Sequence, residues 1–187
     1  MLAYIFWHWR DPHVVKDAYE EHLMAFHEAL RTRTSVGFQH STVFRIETAP
    51  WLGTAAQAYE DWYIVDGSAA LDPLNEAATS GPCREPHDRV ARCVAGGAGG
   101  LYQLRTGELD LAGARVAIRF PKPAGMSYQD LDAALRPLTD RSAVSLWRRQ
   151  MALGPAPEFC WLGPMRQELP ARFQGLYIAL TRIWSGT

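Results

Sequence analysis

The chain of 187 residues is short of several things, and each shortage removes a class of function. It has three cysteines, Cys83, Cys93 and Cys160, and no two stand at a Cys-x-x-Cys spacing. A zinc ribbon and a thioredoxin-type motif are therefore absent, and an odd, sparse set fits a reducing compartment better than a disulfide framework. No charge excess exists: 19 Lys plus Arg against 20 Asp plus Glu give a formal charge of −1. A nucleic-acid module would carry a basic surplus, so no nucleic-acid partner is expected. No run of about 18 apolar residues occurs, so no membrane span is expected. The aromatic start, MLAYIFWHWR, lacks the basic region of a signal peptide. A soluble cytoplasmic protein is the resulting expectation.

Catalytic signatures are also missing. Ser41, Ser68 and Ser142 lie in no Gly-x-Ser-x-Gly elbow. The glycine run GGAGG at 96–100 follows a helical pattern and precedes a strand, the reverse of a dinucleotide-binding turn, and reads as a flexible turn. His27-Glu28 has no second histidine of a zinc-protease helix, and His22 and His27 point about 140° apart on a helix, too far to share a metal. No metal and no cofactor are expected.

What is present is an ordinary apolar fraction, 48%, with seven each of Trp, Tyr and Phe. A sizeable core can form, and so many indoles raise the question of pockets, because a buried Trp needs a partner for its N–H. Residues 2–9 predict a strand apolar on both pleat faces, hence central and covered on both sides. Asp11-Pro12 starts a helix to about Arg31, with Val15, Ala18, Tyr19, His22, Leu23, Phe26, Ala29 and Leu30 as its apolar stripe. Strands follow over 36–47 and 59–65, separated by a break at 50–54. Asp66 caps a helix to 78, Gly81-Pro82 interrupts it, and 84–94 continues as helix. A strand at 101–105 closes the first half, which reads β-α-β-β-α-β, the ferredoxin-like order.

The second half repeats this in shortened form. It has a strand at 115–120, a loop at 121–125, a helix at 128–138 capped by Ser127, a strand at 143–150, a turn at 154–157, and strands at 158–162 and 173–184. Gly-Leu-Tyr at 100–102 and again at 175–177 closes each half. Trp62 to Gly100 is 38 residues but Trp161 to Gly175 only 14, which leaves no room for a second helix. The expected fold is α+β, with a first unit at 1–107 and a shortened second unit at 108–187.

Four features together resemble the dimeric α/β-barrel superfamily in a tandem, single-chain form: the two-sided strand Tyr4-Ile-Phe-Trp7, the helix ending near Leu30, the strand pair around Phe44 and Trp62, and the Gly-Leu-Tyr strands. The resemblance implies two ferredoxin-like units packed sheet against sheet, with pockets between a sheet and its own helices. It also implies a set of activities: cofactor-free monooxygenases acting on polyketide-like quinols, haem-degrading monooxygenases, chlorite dismutases and polyketide cyclases. Fold alone does not choose among them.

The candidate residues each carry two readings. His8, between Trp7 and Trp9, is a proton-moving group in an aromatic pocket or a strand-end histidine at the rim. His22, on the helix stripe, faces a pocket or is a core histidine bonded to a carbonyl. Glu47, Glu60 and Asp61 could act as a base, yet solvent-facing strand positions explain them. Arg148 and Arg149 could bind a carboxylate, yet a solvated edge suffices. Trp62 with His87 invites comparison with haem-degrading relatives, but the one Asn of the chain, Asn75, is not in the first strand as their pattern requires.

Two functions follow, with a haem-binding or haem-degrading protein as a minor alternative. One is a cofactor-free monooxygenase or cyclase for a small aromatic molecule, with His8 and His22 as catalytic residues and Tyr4, Phe26, His40 and Trp62 lining the pocket. The other is a non-catalytic assembly protein. There the missing helix leaves a sheet face bare, and a second copy covers it as a homodimer.

Overall fold

The computed structural model describes residues 1–33, 35–53, 57–152 and 156–186. Among the described residues, nine strands and four α-helices form in the order β1 (Leu2–Arg10), α1 (Lys16–Arg31), β2 (Phe38–Ile46), β3 (Ala58–Val65), α2 (Leu71–Thr79), α3 (Arg84–Ala91), β4 (Val94–Gly107), β5 (Val116–Phe120), α4 (Tyr128–Thr139), β6 (Ser145–Ala152), β7 (Phe159–Gly163), β8 (Leu176–Ala179) and β9 (Thr181–Ser185). All pairings are antiparallel, and the sheet runs β8-β5-β7-β6-β4-β1-β3-β2-β9. The final extended stretch, expected as one strand, splits at Leu180. Its first part pairs with β5 and its second with β2, so consecutive residues supply both sheet edges and nearly close the sheet into a barrel. Near closure leaves little open edge for another chain to add to.

Alternation along β1 sorts its side chains to two cores. Ala3, Ile5 and Trp7 point into the barrel interior, with Phe44, Trp62, Tyr102, Trp147 and Leu162. Leu2, Tyr4 and Phe6 face the helices, with Tyr19, Leu23, Phe26 and Leu30 of α1. A third core lies between the second-half sheet and α4, around Phe120, Leu131, Leu135, Phe159 and Trp161. The barrel interior also holds charge. Glu60 accepts from Trp7 Nε1 at 2.9 Å, from Trp62 Nε1 at 3.1 Å and from Arg119 Nη2 at 2.6 Å, and both ionic side chains are fully buried. The guanidinium lies over the rings of Trp7 and Trp51, 5.1 and 4.9 Å from their centroids. Two of the seven indoles thus find their partner in one carboxylate.

Four expectations need correction. α1 begins at Lys16, because Asp11 closes a local turn by accepting from His13 N–H at 2.8 Å rather than capping a helix. Its buried stripe is Tyr19, Leu23, Phe26, His27 and Leu30, which turns His22 to a half-exposed flank. The glycine run is strand, with Gly96, Gly97 and Gly99 paired opposite Trp9, His8 and Phe6. A Cβ at Gly96 would stand 2.3 Å from the Trp9 ring and one at Gly97 2.6 Å from Phe6, so bare backbone is what lets the β1 aromatics lie across β4. Finally, the second half has no helix in residues 164–175, as its spacing requires, yet its sheet face is not bare. Phe173 from that segment packs edge-on to Phe120 at 5.5 Å, and Leu169 joins the same core. The chain's own coil covers the surface that had called for a second copy. The expected break at 50–54 is a short 3-10 turn over Pro50–Leu52, while Thr54 lies outside the described residues, as do Gly154 and Pro155 of the expected turn at 154–157.

Candidate functional site

Between the first-half sheet and α1, α2 and α3 lies a cavity of about 630 Å³. Tyr4, Phe6, Phe26, Tyr63 and His87 give it an aromatic wall, Leu23, Leu71, Leu74 and Val90 an aliphatic one, and Gly96 and Gly97 a stretch of plain backbone. Its polar floor is the pair His8 and Asp61. The two residues sit on neighbouring strands, where Trp7 pairs with Glu60 and His8 with Tyr59. Each strand therefore sends one polar group to the cavity and the preceding residue to the barrel, Trp7 with His8 on β1 and Glu60 with Asp61 on β3.

Asp61 is the hub. His8 Nε2 lies 3.0 Å from Oδ1; His27 Nε2 lies 3.2 Å from Oδ2, and Tyr63 donates its hydroxyl to Oδ2 at 3.1 Å. Beyond the imidazoles, His8 Nδ1 meets the Tyr19 hydroxyl at 2.5 Å and His27 Nδ1 meets Ser41 Oγ at 2.8 Å. His8, His27, Ser41 and Asp61 are all buried. Each Nε2–H donates to the carboxylate, and each Nδ1 stands at hydrogen-bond distance from a hydroxyl. Burial would raise the Asp61 carboxyl, but His8 and His27 outweigh it and hold it well below the usual carboxylate range. They act through hydrogen bonds and through the positive charge either ring carries when protonated. Burial and the Asp61 charge push the Tyr19 and Tyr63 phenols far upward, so both keep their protons as donors. Stacking fixes the rings, His8 against Tyr59 with centroids 5.5 Å apart and His27 against Tyr63 at 5.4 Å.

A carboxylate offers about four acceptor positions. Oδ2 uses two, while Oδ1 accepts from His8 alone among the described residues. One acceptor position on Oδ1 thus has no partner among the described residues, on a side chain that lines the cavity. The arrangement can take a hydrogen bond, or a proton, from a ligand lying against the aromatic wall.

Of the residues singled out from sequence, Tyr4, His8 and Phe26 line this cavity. His22, His40 and Trp62 do not. His22 is on the half-exposed flank of α1. His40 borders a separate cavity of about 200 Å³ and sits 3.2 Å from the Leu109 carbonyl, its pKa lowered by burial. Trp62 occupies the barrel face of β3, opposite to the face of Asp61. His87 does reach the cavity, packing edge-on to Phe26 at 5.7 Å. Trp62 and His87 therefore lie on opposite sides of the sheet, and the haem comparison that paired them fails. Glu60 and Asp61, read as solvent-facing, are buried on the two faces of a covered strand, whereas Glu47 is exposed as expected. The groups missed from sequence are His27, Tyr63, Tyr19 and Ser41, while Asp61 was named as a possible base but without its burial or its partners. A signal existed for Asp61: two acids inside the run YEDWYIV cannot both reach water if that strand is central. Among the described residues, no group of three or more His, Cys, Asp or Glu is arranged to hold a metal ion, and no helix is long and apolar enough to cross a membrane.

No family model matches the sequence, and no curated protein matches it. Solved structures do match in shape. An anthrone oxidase-like protein aligns over 96% of this chain and 91% of its own, with 9% identity and a TM-score of 0.54. A candidate monooxygenase from Lactobacillus acidophilus NCFM aligns over 98% of this chain and 95% of its own, with 7% identity and a TM-score of 0.61. At such identities the likeness is one of fold, and the chain shares with both proteins a mixed α and β architecture built on a nearly closed antiparallel barrel.

Proposed function

We propose that this chain is a monooxygenase that binds a planar phenolic molecule of the polyketide type in the 630 Å³ cavity and oxidises it with O2, without a bound cofactor. The observation that carries the reading is the vacant acceptor position on Asp61 Oδ1, on the wall of an aromatic cavity. An anthrone-type substrate, whose CH2 lies between two rings and opposite a carbonyl, illustrates the chemistry. Asp61 takes one proton of the CH2, and the negative charge passes from the carboxylate to the ring system. The anion beside it raises the affinity of Asp61 for the proton, which offsets the low basicity imposed by the imidazoles. The electron-rich anion gives electrons to O2, and a carbon–oxygen bond forms. Asp61 returns its proton to the peroxide. Loss of water then leaves C=O where CH2 stood, with one oxygen atom in the product and one in the water. His8 and His27 hold Asp61 in place and supply N–H donors throughout, and Tyr4, Phe26 and Tyr63 present ring faces to the substrate. The fold of the two neighbours, one named for an anthrone oxidase and the other for a monooxygenase, supports the same choice.

We infer further that the barrel is a tandem of ferredoxin-like units, 1–107 and 108–187. The support is that β4-β1-β3-β2 and β8-β5-β7-β6 are the same order taken twice. The test of function is aerobic incubation with an anthrone, following quinone absorbance. Wild type is expected to accelerate the reaction and Asp61→Asn to reduce that acceleration at least about a hundredfold. An unchanged rate in the variant overturns the role of Asp61.

A further inference from the structure

The charge of the cavity restricts what can enter it. Its wall includes two carboxylates, Asp61 on the floor and exposed Asp72 at the mouth, and no Lys or Arg among the described residues. The arginines of α3 do not compensate. Arg84 and Arg89 are exposed and pair with Asp88 and Glu85 of their own helix. Arg10, at the end of β1, is engaged by the carbonyls of Asp11 and Val14. The vacant position on Asp61 is an acceptor, and it needs a donor, not another anion.

We propose, resting on the reading of the cavity as an aromatic-ligand site, that it selects uncharged ring systems bearing a free hydroxyl and rejects the same rings bearing a carboxylate. The carboxylates on floor and mouth repel an anionic substituent, and no Lys or Arg within the wall receives it. The chain therefore acts on a substrate whose acid group has been removed or masked by an earlier step, whether decarboxylation, esterification or lactone formation.

The test compares 2-naphthol with 6-hydroxy-2-naphthoate, two probes with the same rings and the same free hydroxyl, by fluorescence titration of the full chain at pH 7. The naphthol is expected to bind at least about tenfold more tightly, from one added like-charge contact at an effective dielectric near 20. Asp61→Asn should bring the ratio below about threefold by the same Coulomb argument. If that variant fails to fold, Asp72→Asn, at an exposed position, should narrow the ratio in the same direction. Equal or tighter binding of the carboxylate overturns the selection while leaving the cavity as an aromatic site. Failure of both probes to bind at millimolar concentration overturns the selection together with the reading on which it rests.

Discussion

Replacing Arg119 by Met tests the account of the barrel interior. The Arg119–Glu60 contact is 2.6 Å, and neither side chain is exposed to water. Met fills similar volume but leaves a buried carboxylate with only the two indole donors, Trp7 and Trp62. Two unit charges about 4 Å apart at an effective dielectric of 20 attract by about 4 kcal/mol. Breaking one side of a buried pair typically costs about 3–5 kcal/mol. Both routes give the same size, which for a chain of this length is a fall in melting temperature of about 6–20 °C. The double variant Glu60→Gln with Arg119→Met removes both charges. Its remaining penalty is an indole N–H without an acceptor, about 1–2 kcal/mol. It should therefore be more stable than Arg119→Met by at least about 1 kcal/mol, since partners in one network do not add. Urea unfolding at pH 7, with the slope compared across variants, reads both values. A loss below about 1 kcal/mol for Arg119→Met, or a double variant no better than the single, refutes the buried pair. The result bears on the site, because Glu60 and Asp61 are adjacent and the pair in the barrel helps fix which face each one takes.

Asp61 makes a second prediction, for stability. Its folded carboxyl lies below its unfolded value, so its contribution is complete above the unfolded value, about 3.9, and is lost as the pH falls through the folded one. Wild type should lose stability below about pH 4 more steeply than Asp61→Asn, as read by denaturant titration across pH. Tyr19→Phe leaves His8 Nδ1 buried without its donor and should cost about 1–3 kcal/mol in the same assay. Gly97→Ala places a Cβ 2.6 Å from the Phe6 ring and 2.9 Å from the Trp7 carbonyl oxygen, and should cost about 1–3 kcal/mol through overpacking. With the second-half sheet covered by Phe173 and Leu169, light scattering at micromolar concentration should give a monomer near 20.9 kDa. A clean dimer would show that another surface associates.

Sequence by itself determined the elements and their order. Covalent spacing dictates them: 14 residues between Trp161 and Gly175 cannot hold a helix and two turns, and the two-sided apolar strand at Leu2–Arg10 requires cover on both faces. The cavity residues Tyr4, His8 and Phe26 were legible for the same reason, since period and face assign them. Tertiary structure alone decided the rest. The helical stripe could be drawn through His22 or His27, and only docking on the sheet chose His27, by giving it Asp61 and Ser41 as partners. The glycine run carries no side-chain pattern at all, and only the aromatics of β1 lying across it made it a strand. Glu60 and Asp61 look alike in sequence. Pairing of β3 between β1 and β2 buried both, and the pleat then sent one to an arginine 59 residues away and the other to two histidines. A charge burial of that kind depends on partners distant in the chain, and no local rule of spacing or propensity contains them.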